Sequence, residues 1–320
     1  MNPEKLKQLL DNGLITADQF AKIEPIVTGK IVSVYYELRI VLYLGVTLLT
    51  TGLGILIYEN IGDIGHIVSI AGLVVLTVAT FWYVFRYAVA YSDERVKAPT
   101  PYYDYMVLLG SLLFISVLTY LQVLYALFDD GMGATTLVTS AFFFYVAYRF
   151  DHLGVLSLAI TALASFFSIS ISPQKWYSSD FFETAQLPIK SIVFGVVIIV
   201  AALVMERKKI KRHFTFTYVH FATLIFLLGS LAGVFMDDDT TLIYLLALYG
   251  GCGFAAYYGR ESRSFLFLLY AFAFGYTGTT YCLTDTVLVD IGPWFFYLLL
   301  SCGGFVLFIL RYRTFFKRSS

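Results

Sequence analysis

The sequence predicts an all-α fold: a polytopic integral membrane bundle of ten transmembrane helices behind a small cytoplasmic helical hairpin. Three observations predict it. Hydrophobic residues make up 59% of the 320 residues and charged residues only 14%, with a mean hydropathy of +0.77. Soluble domains are about 45–50% apolar and about 25% charged. Ten apolar runs follow one another, at approximately 40–58, 66–86, 105–127, 134–149, 153–171, 188–205, 215–235, 241–258, 264–283 and 293–311. A span needs about 20 such residues, and lipid leaves a single segment no backbone partner outside a helix. Finally, the basic residues alternate with the runs. If both termini are cytoplasmic, the inner connections hold all of the 22 lysines and arginines except Lys175 and Lys190, as the positive-inside rule requires.

The same composition excludes other classes. Zero net charge points to no nucleic acid or other polyanionic partner. Cys252, Cys282 and Cys302 form neither a CxxC nor a Cys/His cluster, so no metal, cofactor or disulfide framework is expected.

The chain opens with a polar stretch without the apolar core of a signal peptide. Asn2 can cap a first helix with Pro3 at its first position. Leu6, Leu9 and Leu10 lie on one face of it, and Asn12-Gly13 ends it. Thr16-x-x-Gln19 is a capping-box pattern for a second helix, with Phe20 and Ile23 as its apolar stripe. This divides the chain into a hairpin and linker (1–38), a membrane domain (39–313) and a tail (314–320). A hairpin this small holds no core alone. It is expected to pack on the membrane domain, on a second copy or on a partner protein.

Leu9 to Gln19, with its Gly13-Leu14-Ile15 and Thr16-x-x-Gln19, resembles the opening of a bacterial family of predicted membrane proteins, domain of unknown function 2157. The glycine-rich first span (Leu44-Gly45, Gly52-Leu53-Gly54-Ile55) and its exit, Tyr58 to Asp63, are similar to that family as well. Ile61-Gly62 stand where the family commonly has a tryptophan. The resemblance covers about the first 80 residues. It implies a location in the bacterial cytoplasmic membrane and carries no known activity or catalytic residue.

Within the membrane, spans three to six and seven to ten form a candidate parallel repeat. Asp129-Asp130 and Asp238-Asp239 are each followed by Thr-Thr-Leu and, one span later, by a basic turn at Arg149 or Arg260. Gly250-Gly251-Cys252-Gly253, Gly275 to Gly278 and Gly303-Gly304 are expected where helices approach closely. Outer connections are acidic, and the aromatic loop 173–187 reads as an interfacial cap. Asp237-Asp238-Asp239 reads as a solvated turn, lacking the spacing of a calcium loop.

No Asp, Glu, Lys or Arg falls near the middle of a run, which argues against carboxylate-relayed pumping. Gln122 is the deepest strongly polar side chain. With Thr119 and Tyr125 it forms a hydrogen-bonding face, either an interhelical bond or a pathway. His220 and His213, seven residues apart, are expected on one helix face. Asp151 and His152 form a polar pair in the tight inner turn between spans four and five. A His beside a carboxylate could serve as a general base, but no nucleophile signature accompanies either pair. Three function classes follow: a facilitator of uncharged or amphipathic solutes, a non-catalytic component docking through residues 1–30, and, third, a membrane-embedded transferase.

Overall fold

The computed structural model describes residues 35–59, 63–100, 102–128, 132–167, 187–236, 240–284 and 294–305, with residues 8, 12, 15–16 and 19–20 before them. Most of the expected hairpin, the span-one exit at 60–62, the cap at 173–186, the acidic turns at 129–130 and 237–239, Asp285, Asp290 and the tail lie outside these residues. Thr16 and Gln19 do form the reciprocal pair that their spacing predicts. Gln19 N–H donates to Thr16 Oγ1 at 3.3 Å, and Thr16 N–H donates to Gln19 Oε1 at 3.0 Å.

All regular structure among the described residues is helical. The helices are α1 (Tyr35–Glu59), α2 (Asp63–Arg86), α3 (Tyr103–Tyr125), α4 (Met132–Phe150), α5 (Leu153–Phe166), α6 (Leu187–Arg207), α7 (Thr215–Val234), α8 (Thr241–Ser262) and α9 (Phe265–Thr284). A shorter α10 runs over Trp294–Phe305. Each lies on one of the ten apolar runs. Six of the described helices, α2, α3 and α6 to α9, are long and apolar enough to cross a membrane. Large apolar side chains such as Val75, Trp82, Leu246 and Leu300 point outward. A hydrocarbon solvent favours that arrangement where water would oppose it.

Successive helices pack in pairs, α2 on α3, α4 on α5, α6 on α7 and α8 on α9, and α7 also touches α5, α8 and α9. The main core joins α2 to α7 through Phe143, Leu156, Ile160, Phe214 and Val219, all buried. A second cluster, Leu227, Val234, Leu248 and Cys252, ties α7 to α8. Without a hydrophobic drive between helices in lipid, close backbone approach and dispersion must hold them. A methyl group on Gly229 would lie 2.4 Å from Ser191 Cβ, and one on Gly195 would lie 2.7 Å from Phe226 Cβ. These two glycines let α6 and α7 touch. The candidate repeat places its unit boundary between the same two helices. Of the glycines expected at close approaches, Gly251 and Gly278 meet a neighbouring helix, whereas Gly250, Gly253, Gly303 and Gly304 face open space.

Candidate functional site at the basic face

Three connections meet at one end of the bundle: 88–100 after α2, the two-residue turn Asp151-His152 after α4, and 208–214 after α6. Sequence places Lys97, Arg149 and Lys208 to Arg212 there. Asp151 holds the three together. The tight turn puts it in the left-handed region at φ 57°, a conformation Asp tolerates better than most residues. Its side chain, 2% exposed, meets Lys211 Nζ at 3.1 Å. His213 Nε2 hydrogen-bonds the same oxygen, and Val96 N–H donates to the other.

Lys211 is driven inward by local geometry. Lys209 and Lys211 are both left-handed, at φ 59° and 44°, and the chain then makes a 3-10 turn over Arg212–Phe214. The Lys211 side chain is 1% exposed, with its ammonium 5.0 Å from the Tyr91 ring centroid and 5.8 Å from that of Phe214. Those π faces replace part of its lost hydration. Tyr91 donates to Asp93 Oδ1 at 2.9 Å. Desolvation and that carboxylate push the phenol above its usual 10.0, so it stays neutral. Three donors on one carboxylate leave little room for proton abstraction by Asp151. The cluster is a fastening between connections.

His152 fastens a second point. Val155 N–H donates to its Nδ1 at 3.0 Å, capping α5. The accepting Nδ1 leaves the ring proton on Nε2, which donates to the Asp104 carbonyl at 2.9 Å. Asp151 and His152, neighbours in sequence, therefore serve different partners. Arg149 is half-buried, donates to the Val89 carbonyl at 2.9 Å and lies 5.4 Å from the Phe150 ring centroid.

A polar cleft opens between these groups. Its walls include Ser92, Lys97, Tyr103, Asp104, Arg149, Asp151 and Lys211, and its cavity volume is only ≈ 20 Å³, room for about one water, so a larger group would sit at its mouth. Beside it an apolar groove of ≈ 400 Å³ runs between α2 and α4 over Phe114 of α3, walled by Val78, Phe81, Trp82, Phe85, Phe142, Tyr145 and Val146. That volume falls in the range of about 300–1,000 Å³ typical of ligand sites. Trp82 is 70% exposed at its rim. Phe150 of the cleft lies one helical turn along α4, about 5.4 Å, beyond Val146 of the groove. The Phe85 and Phe150 rings meet edge-on at 5.1 Å.

The deeper polar residues have other partners. Gln122 is 6% exposed, but its amide turns to the loop that follows α3. Nε2 donates to the Phe128 carbonyl at 3.1 Å, and Phe128 N–H donates to Oε1 at 3.0 Å. Both polar atoms thus close the end of α3, where an interhelical bond or a pathway was expected. Thr119 is half-buried and Tyr125 exposed. The interhelical bond nearby belongs to Tyr120, whose hydroxyl lies 2.8 Å from His66 Nδ1 of α2. His220 pairs with the Tyr270 hydroxyl of α9 at 3.1 Å. It does not share a face with His213, because the 3-10 turn breaks the helical phase between them. No group of three His, Cys, Asp or Glu with metal-holding geometry occurs among the described residues.

Sequence reasoning missed the pairing of Asp151 with Lys211 and His213. The available signal was an acidic residue in a two-residue turn on an otherwise basic face.

Residues 7–156 match the family model described as Predicted membrane protein (DUF2157). The resemblance read from the N-terminal motifs holds, and it reaches through α5's first turn. The match includes Arg149, Asp151 and His152 and ends before Lys211 and His213. No curated protein and no solved structure matches the chain.

Proposed function

We propose that the protein is a ten-span protein of the bacterial inner membrane, with both termini cytoplasmic, that binds amphipathic molecules and eases their movement between leaflets. One observation carries this reading: an aromatic groove open to the lipid side lies one helical turn from a polar cleft. An amphiphile has the same division, and a ligand that stays half in lipid needs no charged residue at mid-membrane. Asp151 and Lys211 supply the rigid floor of the cleft, and Thr119, Gln122, Tyr125 and His220 have no part in this route.

The test is leaflet exchange of a fluorescent-headgroup phospholipid in vesicles containing the purified protein, read by an impermeant quencher. Exchange several-fold faster than in protein-free vesicles, and slowed by filling the groove with Thr77→Phe, is expected. Equal rates with and without protein would overturn the carrier reading. A second reading, docking through residues 1–30 to a partner or a second copy, draws on the Thr16–Gln19 cap. Deleting residues 1–30 should then change the particle size in detergent and leave exchange intact.

A further inference from the structure

We infer that the amphiphile held here is an anionic phospholipid of the leaflet next to the basic face, its headgroup phosphate read by Arg149 and Lys97. The inference rests on the groove reading above and names the ligand's class.

The charges around the cleft are not equivalent. Lys211 and Asp151 neutralise each other at 3.1 Å. Asp104 stands in the first turn of α3, where the helix N-terminus offsets its charge. Arg149 gives one N–H of its Nη1 to the Val89 carbonyl, and no carboxylate pairs with it among the described residues. A guanidinium has five N–H donors in a fork suited to phosphate, so donors remain. Lys97 also lines the cleft and is exposed. The cleft thus presents two cations with no ion-pair partner among the described residues, beside the carboxylate of Asp104.

Position supports the assignment. Basic side chains at a membrane surface attract anionic lipid generally. Arg149 differs from an ordinary surface arginine because it stands one turn above Val146, the inner end of the groove. A chain lying along Trp82 and Phe114 brings its headgroup to that level. Orientation alone accounts for basic loops, but it does not call for a concave aromatic groove leading to them.

The test uses the full-length protein with Trp176 and Trp294 replaced by Phe, so that Trp82 alone reports. The protein is placed in vesicles of unlabelled phosphatidylcholine containing rising fractions of brominated-chain phosphatidylglycerol or, separately, brominated-chain phosphatidylcholine. Bromine quenches Trp82 on contact. The expected result is that the anionic lipid saturates quenching at a lower mole fraction than the zwitterionic one. Arg149→Gln and Lys97→Gln should each weaken that preference about fivefold, the effect of removing one basic residue near a charged surface. Arg149→Lys should retain most of it. Lys97 is exposed and in no ion pair among the described residues, so its variant separates headgroup binding from folding.

Saturable quenching that is identical for the two headgroups would overturn the anionic assignment and leave the groove reading standing. Quenching that only tracks bulk lipid fraction, for both lipids, would mean the groove holds no lipid beyond the ordinary annulus, and both would fall. A preference unchanged in both glutamine variants would place the recognition on other residues and also overturn the assignment.

Discussion

Asp151 shows how one residue can organise three connections. Burying a carboxylate and an ammonium costs several kcal/mol each, and their pairing recovers it only when further donors complete the site. Val96 N–H and His213 do so here. Removing Asp151 alone strands the Lys211 charge in a buried position. Asp151→Ala is therefore expected to lower stability by about 3–5 kcal/mol, measured by unfolding in detergent. Asp151→Ala combined with Lys211→Met should be more stable than the single variant, because the stranded charge is gone. Equal stability of the single and double variants would show that the ion pair is not what closes the three connections. Gln122 carries the same lesson at smaller scale: depth in a helix marked it as polar glue between helices, and its reach to Phe128 made it a local cap.

At the scale of elements, packing between helices turns on small residues facing backbone. Gly229 of α7 and Ser191 of α6 leave no room for a methyl group. Overpacking a well-filled contact costs about 1–3 kcal/mol. Gly229→Ala should lower the melting temperature in detergent, whereas Gly253→Ala, with open space around it, should leave it nearly unchanged. The contrast between two glycines of similar helical context makes the test internal. The glycine runs at 250–253 and 303–304 attract attention in the sequence, yet only Gly251 of them meets a neighbouring helix closely, while isolated Gly229 and Gly195 do so as well. Run length reports composition, while close approach depends on which face of a helix the glycine occupies.

The whole molecule divides into a basic end, where the connections are bound to one another, and an apolar flank. The positive-inside pattern predicts that the bound end faces the cytoplasm. With the three native cysteines replaced, a single cysteine at Lys208 should react with an impermeant thiol reagent only from the cytoplasmic side. One at Met236, at the far end of α7, should react only from the other side. One at Ser230, fully buried in the structure, should resist labelling from both. Labelling of Lys208→Cys from outside intact cells would reverse the orientation and move the lipid site to the other leaflet.

By itself the sequence determined the helical class, the order and approximate positions of the described helices, the membrane setting and the Thr16–Gln19 cap. Each follows from signals local in the chain: runs of apolar residues, the alternation of charge between them, and a cap three residues long. The union of Asp151 with Lys211 and His213, the parting of His213 from His220, the inward reach of Gln122 to its own loop, and the meeting of groove and cleft were decided only by the tertiary structure. The Asp151 cluster depends on residues about 60 positions apart arriving at one end of the bundle and on left-handed turns at 151, 209 and 211, and the reach of Gln122 to Phe128 depends on the left-handed Ala126 between them. Hydropathy and charge alternation sum over neighbours in the chain and carry no term for distant residues; packing supplies that term.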